Sequence, residues 1–183
     1  MMNLRRVFEK EKVWTYSNLL SLSRLFIGMF LFYGISRRQL LFSFSLALLA
    51  VITDFADGYL ARKRNEISEL GKILDPLGDK VTVALSAIAL HYAYGLPLWI
   101  VLLIVGRDIL ILIGSVILIG KLQNVVASEM PGKIAVTIIA GLLLVYLLEW
   151  HFAKQVLLYL TVLAVFVSFF FYVLRFFQMI FKE

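Results

Sequence analysis

Asp54 to Asp79 reads D-F-A-D-G-Y-L-A-R-K-R-N-E-I-S-E-L-G-K-I-L-D-P-L-G-D, set between two strongly apolar runs. A carboxylate at mid-membrane costs roughly 2.5–3.5 kcal/mol on insertion scales, and less toward the interface. Asp54, Asp57, Asp75 and Asp79 together are therefore a burden that something cationic must offset. The flanking runs make that burden real. The chain of 183 residues is 62% hydrophobic and 16% charged, well above the usual 45–50% apolar of soluble domains. The sequence thus predicts an all-α integral membrane protein that houses the acidic cluster.

Working outward, apolar stretches of helical length recur on both sides of the cluster. They predict six transmembrane helices, over about 19–35, 40–61, 71–93, 98–119, 133–148 and 156–176. Ser17 or Asn18 can cap the first. Ser36-Arg37-Arg38, Gly95 to Pro97, the polar stretch 120–132 and Glu149-Trp150-His151 separate the others. Met1 to Trp14 mixes Leu4, Val7, Phe8 and Trp14 with Arg5, Arg6, Lys10 and Lys12, the composition of an amphipathic juxtamembrane segment. The whole, 1–183, reads as a single membrane domain: 1–17 juxtamembrane and 18–176 a six-helix bundle.

Charge sets an expected orientation. With the N-terminus inside, one side receives Arg5, Arg6, Lys10, Lys12, Arg62, Lys63, Arg64, Lys72, Lys121, Lys133, Arg175 and Lys182. The other receives only Arg37, Arg38 and Lys154. The positive-inside rule then places both termini and the acidic cluster at the cytoplasmic face of the cytoplasmic (plasma or inner) membrane. The net charge of +6 is accounted for by those loops facing anionic lipid, and nucleic acid is not an expected partner. The chain has no cysteine and two distant histidines, His91 and His151, which argues against a zinc centre.

Within the cluster the spacing is helical. Asp54, Asp57, Gly58 and Ala61 share one stripe of the second helix, and Gly71, Asp75 and Asp79 one stripe of the third. Carboxylates on two neighbouring helices suit hard divalent ions, magnesium or manganese. Two such ions can clamp a phosphoryl group during in-line displacement. Gly58 and Gly71 allow close approach, and Arg62 stands where it can meet a phosphate. Each residue alone has a plainer reading, as a paired acid, a packing glycine or a loop cation. Their joint occurrence at fixed spacings favours the site.

The pattern Asp54-x2-Asp57-Gly58-x2-Ala61-Arg62-x8-Gly71-x3-Asp75-x3-Asp79 resembles the signature of the CDP-alcohol phosphotransferases at all eight specified positions across 26 residues. The resemblance extends to length and six-helix layout. It implies displacement of CMP from a CDP-linked donor, usually CDP-diacylglycerol, by an alcohol, with a two-metal site and a homodimer. By position, Asp54, Asp57, Asp75 and Asp79 resemble the metal ligands, and Asp79 also the general base. Gly58, Ala61 and Arg62 resemble the nucleotide-binding residues.

For the acceptor, the candidates are Arg107, Lys133 and Arg175. Arg107 lies mid-span, where a charge is expensive, with an ion pair to Asp108 as its plainer reading. Lys133 opens the fifth helix after Pro131-Gly132, and its plainer reading is an interfacial lysine. Arg175 ends the sixth. Arg24, near the start of the first helix, reads as a snorkelling residue. Three cations in one pocket suit glycerol 3-phosphate, and Asn18 to Ser21 with Leu74 to Lys80 resemble the phosphatidylglycerophosphate synthases of the family. Arg107-Asp108 more closely resembles its cardiolipin synthases, whose acceptor is phosphatidylglycerol, and inositol phosphate is a further alternative. A small cation-coupled membrane transporter is the rival from another class. It expects matching broken spans in two halves, and no such repeat is visible.

Overall fold

The computed structural model describes the backbone of residues 16–64, 69–122 and 130–181, and within these the side chains of 22–53, 77–114, 130–175 and 178. Six helices and no strands occur among them: α1 (Tyr16–Ser36), α2 (Leu40–Arg64), α3 (Glu69–Tyr94), α4 (Leu98–Leu122), α5 (Met130–Leu147) and α6 (His151–Phe181). The number and order match the sequence expectation, but several helices run further than their apolar cores. α2 continues through Arg64 and α6 begins at His151. Helical hydrogen bonds need no hydrocarbon around them, so the apolar run marks only part of each helix. α1 already includes Ser17 and Asn18, so neither of them caps it. The expected amphipathic segment Met1–Trp14 lies outside the described residues.

Two of the turns end their helices in the same way. Gln39 N–H donates to the Gly34 carbonyl at 2.9 Å and Arg38 N–H to that of Ile35 at 3.0 Å, with Arg38 at φ 55°. Trp150 N–H donates to Val145 at 3.1 Å and Glu149 N–H to Tyr146 at 3.2 Å, with Glu149 at φ 53°. This is the paired 6→1 and 5→2 closure in which one left-handed residue satisfies the last carbonyls. Neither residue is glycine, so each turn carries local strain of order 1 kcal/mol. Arg38 has a compensating contact: its Nη2 donates to the Ala93 carbonyl at the end of α3.

Apolar side chains fill the core and also cover much of the surface. Leu41, Phe152 and Tyr159 are largely exposed, along with many other large apolar residues. Arg24, Arg107, Asp108, Ser43, Ser86, Thr161 and Ser168 are buried. With hydrocarbon as solvent, apolar side chains gain little by turning inward, and helices are held by close packing and internal polar contacts. By length and composition, Met130–Leu147 and His151–Arg175 are the two helical stretches among the described residues that can cross a membrane unaided. Leu22–Ser36 and Leu40–Thr53 are apolar but shorter.

The chain divides into two compact units, Met1–Ala93 and Tyr94–Glu183. In the first, α1 packs on α2, and α1 and the turn that follows it are tied to α3 at two depths. Arg24 reaches Asp79 and Arg38 reaches Ala93, each pair 55 residues apart in sequence. A constant separation is the mark of two helices running parallel. Between these ties Gly28 of α1 faces Thr82: a Cβ at Gly28 would lie 3.0 Å from Thr82 Oγ1 and 3.3 Å from its Cα. In the second unit α6 packs on both α5 and α4. α4 and α6 are also parallel, because Arg107 bonds Ser168 and Tyr172 bonds Ile111, both 61 residues apart. The Tyr172 ring lies where a side chain at Gly114 would be.

Candidate active site

The backbone places Asp54, Asp57, Gly58, Ala61 and Arg62 in the C-terminal part of α2, and Gly71, Asp75 and Asp79 in the N-terminal half of α3. The helical spacing read from sequence is therefore real in both elements. The side chains of 54–76 lie outside the described residues, and Asp79 is the one motif carboxylate whose contacts are described. Just ahead of the motif, the Thr53 hydroxyl donates to the carbonyls of Leu49 (3.0 Å) and Ala50 (2.9 Å), so it is satisfied within its own helix.

Asp79 is gripped from α1. Arg24 Nη1 donates to Asp79 Oδ1 at 2.6 Å, with 5% of the arginine side chain and 51% of the aspartate side chain exposed. Sequence reasoning missed this and expected Arg24 to snorkel. The physical signal was present: an arginine two turns inside an apolar helix must either reach water or find a carboxylate. It is buried, and the carboxylate is half open. The α3 segment that carries Asp79 also holds the backbone of Arg24, whose carbonyl accepts a bond from the Thr82 hydroxyl at 3.1 Å.

In the second unit Arg107 is buried on α4. Its Nη1 meets Asp108 Oδ1 at 2.6 Å and its Nη2 meets Ser168 Oγ of α6 at 2.7 Å. The ion pair is the plainer arrangement weighed for this residue, while Ser168 was not foreseen. Arg107 Nε is buried with no partner among the described residues. Lys133 is exposed in the first turn of α5, and Arg175 is half-buried near the end of α6, one turn past Tyr172.

Among the described residues no three His, Cys, Asp or Glu gather as a metal site, and Asp54, Asp57 and Asp75 are not among those with described side chains. The donor set can still be tested by its chemistry. Four carboxylates at i, i+3 and i, i+4 positions, in a chain without a thiol, offer hard oxygen ligands alone. That set fits magnesium or manganese and not softer metals.

Comparison with known proteins gives a consistent answer. A family model described as CDP-alcohol phosphatidyltransferase matches residues 14–171. A CDP-diacylglycerol–glycerol-3-phosphate 3-phosphatidyltransferase of Aquifex aeolicus is 35% identical over 175 residues, covering 91% of this chain and 98% of that one. One of the same name from Bacillus subtilis is 40% identical over 89 residues, 49% of this chain and 46% of that one. A CMP-forming cardiolipin synthase of Rattus norvegicus is 37% identical over 103 residues, 56% of this chain, which spans about a third (34%) of that longer protein. These similarities leave the transporter alternative without support.

Proposed function

The chain belongs to the CDP-alcohol phosphatidyltransferase family, and on that premise we propose that it transfers a phosphatidyl group from CDP-diacylglycerol to glycerol 3-phosphate, releasing CMP. It is a transferase of phospholipid biosynthesis and an integral membrane protein. The observation that carries the acceptor is the match over nearly the full length of a relative whose name specifies glycerol 3-phosphate.

In this reading six helices span the bilayer with both termini and the site at the cytoplasmic face, as the lysine and arginine count favours, and the protein works as a homodimer. Asp54, Asp57, Asp75 and Asp79 hold two Mg2+ or Mn2+ ions, which when bound neutralise phosphate charge. Gly58 and Ala61 leave room for the cytidine nucleotide and Arg62 pairs with its phosphate. Arg107, Lys133 and Arg175 bind the acceptor phosphate. The acceptor hydroxyl oxygen forms a bond to the phosphatidyl phosphorus as the phosphoanhydride bond to CMP breaks, and the hydroxyl proton passes to Asp79. Beside cations that carboxylate is a weak base, so its work rests on proximity more than on basicity.

A second reading, with phosphatidylglycerol as acceptor, draws on the Arg107-Asp108 pair and on the cardiolipin synthase relatives. One experiment separates them: CMP release from CDP-diacylglycerol with a panel of acceptors, with and without chelator, and lipid products identified by mass. Chelator-sensitive CMP release with glycerol 3-phosphate and a phosphatidylglycerophosphate product is expected. Cardiolipin from phosphatidylglycerol would move the assignment to the second reading. No CMP with glycerol 3-phosphate, phosphatidylglycerol or inositol phosphate would end both.

A further inference from the structure

Arg24 stands outside the acidic signature, on a different helix, and no step above uses it. Its side chain is 5% exposed. Its described side-chain contact is to Asp79 Oδ1, at 2.6 Å. The pair is asymmetric: the cation is sealed among helices, while the carboxylate is 51% exposed. An ion pair with one partner half in solvent adds little to stability, because solvent screens it and ordering the side chains opposes it. Fold stability alone therefore gives weak reason to desolvate an arginine at this point.

The local construction explains what the pair achieves. α3 grips α1 twice within one turn, through the Asp79 carboxylate on the Arg24 side chain and the Thr82 hydroxyl on the Arg24 carbonyl. Gly28, one turn further along α1, leaves room for Thr82, whose Oγ1 and Cα would lie 3.0 and 3.3 Å from a Cβ at that position. The parallel register is repeated at Arg38 and Ala93. Helix spacing and register are thereby fixed where the guanidinium leaves α1, and the planar fork has little freedom left. A carboxylate on a half-open helix face would otherwise sample several rotamers. Here it is tethered to a buried, immobile donor.

We propose that Arg24 is the positioning residue for Asp79: from α1 it orients the α3 carboxylate that takes the acceptor's proton and shares in metal binding. The proposal rests on the reading of Asp79 given above. Groups that orient a metal-binding carboxylate change metal affinity or activity by about 10–100-fold when removed, and that is the effect expected here.

The test uses the full-length protein in lipid nanodiscs, with wild type, Arg24→Met, Arg24→Lys, Asp79→Asn and the Arg24→Met/Asp79→Asn double variant. Arg38→Met serves as a control that loosens the other tie to α3, from the turn after α1. The readouts are kcat, KM for each substrate, Mn2+ binding followed by electron paramagnetic resonance, and melting temperature. Arg24→Met is expected to lower kcat about 10–100-fold and to weaken Mn2+ binding by a comparable factor, with both KM values little changed. Arg24→Lys, which keeps the charge without the fork, is expected to recover most of the loss and remain several-fold below wild type. The double variant should be no slower than Asp79→Asn alone, since both changes act through one carboxylate.

Wild-type activity lost in Asp79→Asn but untouched in Arg24→Met would overturn the proposal while leaving the reading of Asp79 intact. So would multiplicative losses in the double variant, or a kcat loss in Arg38→Met as large as in Arg24→Met, which would make seam rigidity the whole effect. If Arg24→Met does not fold, Arg24→Lys decides alone: lowered kcat and Mn2+ affinity at a near-normal melting temperature support the proposal, and unchanged values of both refute it. An Asp79→Asn variant as active as wild type would instead remove the premise.

Discussion

Two buried arginines each hold an aspartate, one in each unit, and the two pairs are built in opposite senses. On α1, Arg24 is 5% exposed and its partner Asp79, on a helix 55 residues away, is 51% exposed. On α4, Arg107 and the adjacent Asp108 are both closed in, at 6% and 13%, and Ser168 of α6 completes the arrangement from 61 residues away. In the first pair the arginine is the support and the carboxylate is the open end. In the second the carboxylate is closed in with its arginine, and the Ser168 hydroxyl holds the same guanidinium from α6. The same two residue types in parallel helix pairs thus leave the carboxylate open in one unit and closed in the other.

Variants can break or sharpen this contrast. The largest effect belongs to Asp79→Asn, which removes the open carboxylate. CMP release should fall about 10³-fold, within the usual range for losing a general base, and the melting temperature should fall as well, because the buried Arg24 charge loses its carboxylate. CMP release that falls only in proportion to the folded fraction would mean that Asp79 is a structural partner alone. Asp108→Ala should behave in the other way, because it strands the Arg107 charge inside the fold. Breaking a buried pair costs about 3–5 kcal/mol, and the slight opening of Asp108 favours the lower end. The measurement is thermal or denaturant unfolding of the solubilised protein, and a neutral result would show that Arg107 has another counter-charge. Smallest is Ser168→Ala, which removes one hydrogen bond to a charged group, worth about 1.5–3 kcal/mol. Acceptor KM should rise at least about tenfold with kcat near wild type. A loss confined to kcat would erase the distinction between the units.

The helices were legible because their signals are local. Apolar runs of helical length, the basic break at Arg37-Arg38 and the turn at Gly95 to Pro97 lie within a few residues of the structure they dictate. The motif was legible for the same reason, since Asp54 to Asp57 and Asp75 to Asp79 are one helical turn apart. Arg107 with Asp108 was open to reading because the two are adjacent. Arg24 was misread because snorkelling and pairing are both local solutions to a charge in an apolar helix. The choice depends on what lies across the interface. Ser168 and Tyr172 were passed over in an apolar run, where a serine or tyrosine carries no pattern that points to a partner.

The sequence by itself determined the helical class, the order of the six helices and the acidic signature with its family, all of which follow from hydropathy and from spacings within single helices. Only the tertiary structure decided that Arg24 belongs to Asp79 and Ser168 to Arg107. Those partners are fixed by the parallel registers of α1 with α3 and of α4 with α6. Such registers emerge from the turns at Arg38 and Glu149 and from close packing at Gly28 and Gly114, and no residue spacing within one helix encodes them. A buried charge announces that it needs a partner; the fold chooses which one.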